Sequence, residues 1–181
     1  LFTIDEETGM TGALGLKAGL LTGEILLNLD TEEDDEIDIG CAGGIDVTAS
    51  ANYQLTTTSP NFVKIDIKGL QGGHSGMDIH KGFGNSNVIL GRLLYTGIDN
   101  EIQLISIDGG GLRNAIPREA HAVVSVKNVE EFLQKLETLK TEILEEFASV
   151  EKDLSISFEK TSASEQGLST EDSKKIILAL K

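Results

Sequence analysis

Between residues 62 and 160 the hydropathy period changes in a fixed succession, strand-like, helical, strand-like twice, helical, strand-like, and few folds accommodate that order. Val63, Ile65 and Ile67 alternate with Lys64, Asp66 and Lys68, the pattern of a strand with one buried face. A glycine-rich loop, Gly69 to Gly76, follows. Ile89, Leu90, Leu93 and Leu94 then share one face of a helix predicted over 86–95, and Gly97 suits its C-terminal end. Residues 101–107 read as a second strand whose alternation slips between Leu104 and Ile105, as at a bulge. Ala120, Ala122, Val124 and Val126 alternate as a third. Asn128 with Glu131 resembles a capping box, and Val129, Phe132, Leu136, Leu139, Ile143 and Phe147 repeat at helical spacing behind it. Leu154, Ile156 and Phe158 form a fourth strand, and Ser169 with Asp172 opens another helix containing Ile176, Ile177 and Leu180. The β-α-β-β-α-β order predicts an α+β domain: a four-stranded antiparallel sheet with both helices on one face.

Residues 1–61 lack this regularity. Leu1 to Ile4 and Glu24 to Leu29 are β-prone, with loosely helical spacing from Gly9 to Leu21 between them, which predicts a strip of α/β structure. The acidic run Asp30 to Glu36 reads as a solvated loop, Glu36 to Cys41 as a further strand and Gly43-Gly44 as a break. Thr48 to Ser59 reads as an extended connection, so a domain boundary is expected near residue 46, with 1–46 in one domain and 47–181 in another. A strand at Leu1 and a helix still running at Lys181 read as the cut ends of a longer protein.

Thirty acidic against 15 basic residues leave a net charge of −15, which repels phosphate backbones and anionic membrane surfaces. No nucleic-acid or membrane partner is therefore expected, and cations are favoured. Apolar residues make up 39% and aromatics 4%, so the core must be aliphatic. Cys41 is the only cysteine and cannot form an intrachain disulfide; no apolar run approaches the roughly 20 residues that cross a bilayer. Together these features predict a soluble chain in a reducing cytoplasm.

Several residues could carry chemistry. Asp5-Glu6-Glu7 follows an apolar run directly, where open α/β sheets place their ligand sites; one carboxylate could bind a metal while its neighbour moves protons. For an isolated acidic triplet a solvated turn is the commoner outcome. Asp30 ends the next β-prone run and could join Glu7 at zinc or manganese, whereas the acidic residues after it lack the glycine of a calcium loop. His74, flanked by glycines in Gly72-Gly73-His74-Ser75-Gly76, could reach a ligand or donate to a developing oxyanion. His80 and His121 read as structural, and adjacent His74 and Ser75 point apart on an extended chain, which argues against a serine hydrolase. In the connection Gly109 to Arg118, Arg113 or Arg118 could pair with a carboxylate and Asn114 could hydrogen-bond to one. No Walker or dinucleotide fingerprint is present.

Taken in order, LFTIDEETGM, ILLNLDTEE, IGCAGGIDV, GLQGGHSGMDIH and GGGLRNAIPREA resemble the aminoacyl-histidine dipeptidases of the M20 clan of two-metal peptidases. The resemblance runs through essentially the whole chain. It implies a catalytic domain with two zinc ions, or manganese or cobalt in their place, and an inserted ferredoxin-like lid that contributes to homodimerisation. By motif it makes Glu6 the general base, Glu7 and Asp30 metal ligands, His74 the lid histidine that stabilises the tetrahedral intermediate, and Asn114 a substrate-binding residue. Arg113 and Arg118 are weaker matches in the same substrate-binding segment. The activity implied is hydrolysis of Xaa-His dipeptides by metal-activated water. The upstream His-x-Asp, the bridging aspartate and the downstream histidine of that family lie outside this sequence, so the piece alone is expected to be inactive and to hold no two-metal centre. A tripeptidase or deacylase of the same clan would share these residues, and a pure dimerisation or binding module remains the alternative of a different class.

Overall fold

The computed structural model describes residues 1–29, 35–37, 39–40, 43, 45 and 47–181. It separates into two compact units, 1–51 and 52–181, the division falling a few residues beyond the expected one.

In the first unit two one-turn helices, α1 (Glu6–Gly9) and α2 (Thr11–Leu14), follow each other around Met10. Asp5 and Met10, which flank α1, both take left-handed backbone angles, with φ of 61° and 56°. The Thr11 hydroxyl donates to the Asp5 carboxylate, which holds this double turn together. The strands expected at 1–4 and 24–29 do not form, and their apolar side chains, Phe2 and Leu26 among them, are exposed. A strand destined for burial on both faces needs neighbours to accept its main-chain hydrogen bonds, and none pairs with these segments among the described residues. The described part of 36–41 is likewise not a strand.

The second unit begins with β1 (Thr56–Thr57), continues through β2 (Phe62–Lys68) and β3 (Gly73–His74), and reaches α3 (Ser86–Tyr95). Then come β4 (Gln103–Gly109), β5 (Ala115–Ile116), β6 (Ala120–Ser125) and α4 (Val129–Phe147). β7 (Ser155–Thr161), β8 (Gln166–Gly167) and α5 (Thr170–Leu180) complete it. Four strands form an antiparallel sheet in the order β4-β6-β2-β7, the ferredoxin-like arrangement that the split βαβ pattern predicts. Within the segment expected to be a plain connection, β1 pairs with β8, with Thr56 opposite Gly167.

Period-two alternation sends Val63, Ile65 and Ile67, each fully buried, into the face covered by helices. There they meet Leu90, Leu93 and Leu94 of α3 and Phe132, Leu136 and Ile143 of α4. Each such side chain contributes roughly 1.5–3 kcal/mol on burial. α3 starts where the Asn85 side chain accepts from the Asn87 and Val88 amides at 3.0 and 3.2 Å, and α4 where Asn128 accepts from the Glu131 amide at 3.3 Å. The expected bulge lies between Leu104 and Ser106, where the pairing with β6 shifts. There the returning chain covers the edge of β4: Leu104 donates to Ser173 Oγ at 2.9 Å, and the Leu168 amide donates to the Leu104 carbonyl at 2.9 Å.

Gly97 sits just past α3, but not for the expected conformational reason. Its φ is −89°, open to any residue; a Cβ there would lie 2.8 Å from Ile102 Cδ1 and 2.9 Å from Phe132 Cε2, so packing demands the glycine.

Candidate functional site

The loop that leaves β2 and enters α3 holds His74, and tight turns fix its path. Gly69 has φ +81°, and a Cβ on it would fall 2.0 Å from the Asp153 carbonyl oxygen. Gly72 has φ +70°, and its Cβ would meet Arg118 Cγ at 2.4 Å; Gly73 has φ +152°, and its Cβ would meet Asp78 Oδ2 at 2.7 Å. The glycines that the sequence shows before His74 are thus places where Asp153, Arg118 and the loop's own Asp78 press against the loop backbone.

His74 lies in β3, opposite Ala115 of β5, and the next amide, of Ser75, donates to the Asn114 carbonyl at 2.8 Å. The structure therefore brings together His74 and Asn114, which are far apart in sequence. The His74 ring is exposed, but its Nδ1 accepts from the Gly76 and Met77 amides, both at 3.1 Å. Main-chain N–H groups can only donate, so Nδ1 carries no proton and the ring's N–H is at Nε2. That leaves Nε2 as the ring's donor on an exposed side chain, the tautomer suited to a developing oxyanion.

Asp78 holds the loop from within. Its Oδ2 accepts from the His74 amide at 2.7 Å and its Oδ1 lies 2.6 Å from Lys81 Nζ. The Lys81 ammonium first, and the His74 amide second, hold the Asp78 carboxyl below the usual carboxylate range. Arg118 donates from Nε to the Leu70 carbonyl at 3.0 Å, which lays its stem across Gly72 and ties the β5–β6 connection to the base of the loop. Arg113 is exposed, and Asn114 is half-buried. A cleft of about 300 Å³ lies against this assembly, lined by Gly73, Leu112, Ala115, Ile116 and Arg118 among others.

At the neck of the loop stands Glu151, buried at 4% exposure. Its Oε2 accepts from the Gln71 amide and its Oε1 from the Gly84 amide, both at 2.8 Å. The Gln71 side chain donates to the Val150 carbonyl beside it. Neither Asp78 nor Glu151 was singled out from the sequence. Asp78 offered a local signal, an acidic residue four positions after a histidine in a glycine-rich turn. Glu151 offered none, because its partners lie in a distant segment.

Glu6 is exposed in α1 of the first unit. Asp30 and the Glu7 side chain lie outside the described residues. Among the described residues no three His, Cys, Asp or Glu side chains cluster as a metal site would require. His80 lies exposed in the turn Ile79–Lys81, and His121 Nε2 is 3.7 Å from Asp108 on the open face of the sheet. No described helix is long and apolar enough to cross a membrane.

Comparison with known proteins agrees with this arrangement. Residues 65–154 match the M20 peptidase dimerisation domain. Over 161 residues the chain is 44% identical to the cytosol non-specific dipeptidase of Escherichia coli (strain K12), covering 86% of this chain and 33% of that protein. The crystal structure of aminoacylhistidine dipeptidase from Vibrio alginolyticus superposes with a TM-score of 0.72 at 38% identity, covering 98% of this chain and 37% of that one. The chain thus spans about a third of the length of these relatives. With a matching domain, sheet order and sequence, residues 65–154 are a dimerisation domain of the M20 peptidase type, and the chain is similar over most of its length to part of these dipeptidases.

Proposed function

We propose that this chain serves a dipeptidase, supplying the lid that closes over a dipeptide and pairs with a second copy. The observation that supports this best is the His74 ring, whose Nδ1 is occupied by two main-chain amides so that Nε2 carries the ring's N–H. When the carbonyl of a scissile peptide becomes tetrahedral, its oxygen gains charge, and a neutral, preorganised N–H donor stabilises that oxygen more than it stabilises the ground state. Asn114, held against the same loop, orients the substrate.

In this reading Glu6 is the general base: it takes a proton from the attacking water and passes it to the leaving amine. Glu7 and Asp30 would hold zinc, with manganese or cobalt as substitutes, together with ligands outside this sequence. Such ions supply Lewis acidity and lower the pKa of water. The setting is the cytosol, and the preferred substrates are dipeptides with C-terminal histidine. The names of the two relatives differ on this breadth, one a non-specific dipeptidase and the other an aminoacylhistidine dipeptidase.

The test is Glu6→Gln in the full-length enzyme, assayed against a panel of Xaa-His dipeptides, other dipeptides, tripeptides and acylated amino acids. Turnover should fall by at least about a hundredfold with metal content nearly intact. Full activity in that variant would remove Glu6 as base, and a preference for tripeptides or acylated amino acids would move the enzyme elsewhere in the family.

A further inference from the structure

We infer that Glu151 is a positioning residue for His74, a carboxylate clasp that closes the neck of the loop and thereby sets where Nε2–H points. A carboxylate buried at 4% exposure is costly unless its oxygens are hydrogen-bonded. Here they are taken up by the Gln71 and Gly84 amides, each at 2.8 Å, and these residues stand at the two ends of the loop that holds His74. One planar group with two acceptors therefore joins the outgoing and returning strands of the loop.

The surroundings are built for that contact. A Cβ on Gly84 would press on the tip of Leu70 at 2.6 Å and lie 3.5 Å from Glu151 Cγ, so the returning chain runs directly against the carboxylate to which it donates. Gly69, just before the neck, presses on the Asp153 carbonyl, and the Gln71 side chain reaches the Val150 carbonyl. The segment 150–153 between α4 and β7 thus grips the loop base at three successive points. The loop's interior is organised separately, by Asp78 and by the pairing of β3 with β5. With the interior rigid, a change at the neck moves His74 as a body, and a displacement of about 1 Å of a group that contacts the transition state can cost up to about a hundredfold in rate.

This inference rests on His74 as the oxyanion donor, and the experiment separates the two. In the full-length enzyme, Glu151→Gln keeps the side-chain volume but offers one acceptor and turns an amide NH2 toward the second donor. On a dipeptide substrate kcat should fall about tenfold while KM moves less than about threefold. Amide exchange should quicken at Gln71 and Gly84, the two amides that Glu151 holds, and stay unchanged in the loop interior and the central strands. In a His74→Ala background the same substitution should lower kcat by less than about twofold, because the group it positions is gone. Unchanged exchange at Gln71 and Gly84, or an equal loss of kcat in both backgrounds, would overturn the inference. A fully active His74→Ala would overturn the role of His74 and the catalytic consequence with it, and the exchange measurement would then decide the clasp by itself. Should Glu151→Gln not fold, Glu151→Asp, shorter by one methylene, can hold only one of the two amides and is read in the same way.

Discussion

Phe132 and Gly97 should be energetically coupled, and the coupling is calculable from their contact. Phe132 is fully buried, and its ring edge lies where a Cβ on Gly97 would approach to 2.9 Å. Phe132→Ala removes the ring from a fully buried site framed by α4, Ile102 and the Gly97 backbone. The cost should be about 3–5 kcal/mol, a large part of the roughly 5–15 kcal/mol that holds such a domain together. Gly97→Ala by itself overpacks against the ring and against Ile102 Cδ1 at 2.8 Å, for about 1–3 kcal/mol, with no backbone penalty because φ is −89°. In the double variant the new methyl enters the space the ring vacated. The two losses should then fall short of additivity by about 1–2 kcal/mol. Urea unfolding of the chain and its three variants, followed by far-ultraviolet circular dichroism, measures this directly, and thermal unfolding should show the midpoint of Phe132→Ala lowered by roughly 10–20 °C. Strict additivity would refute the argument that packing, and not turn geometry, places glycine at 97.

Replacing Asn128 with Ala removes the acceptor for the Glu131 amide and should cost about 1 kcal/mol, visible in the same unfolding experiment, with Asn128→Ser recovering most of it. The Asp78 carboxyl is held below its ordinary value of 3.8, so its contribution to the His74 loop is complete above that value and is lost as pH falls through the lower folded value. Amide exchange of residues 74–81 should stay slow down to that range and quicken below it, and Asp78→Asn should abolish the transition; a loosening centred near pH 6 would point to another group.

Much of the second unit was legible in the sequence because its signals are local. Period-two alternation at 63–67 and 120–126, helical spacing in 86–95 and 129–147, and the caps Asn128 and Ser169 each depend on neighbouring residues, and each element forms where expected. Their order, under the chirality and connection rules of sheets, then leaves few topologies, and the slip after Leu104 marks the bulge. The first unit shows the opposite case. β-prone runs at 1–4 and 24–29 specify a strand only when other strands accept their hydrogen bonds, and propensity does not supply those partners.

At the candidate site, the sequence by itself marked His74 through its glycines and Asn114 and Arg118 through their glycine- and proline-bearing connection. Only the tertiary structure decided what those residues do. The pairing of β3 with β5 brings His74 beside Asn114, two amides choose the imidazole tautomer, and Arg118 spends its Nε on the Leu70 carbonyl. Glu151 is the clearest instance: as one acidic residue among many in an acidic chain it is anonymous, and it acquires a role because the packing of β2 against β7 delivers two amides to its oxygens. Local periodicity writes elements into the sequence, whereas a hydrogen bond between segments far apart exists only once the chain has folded.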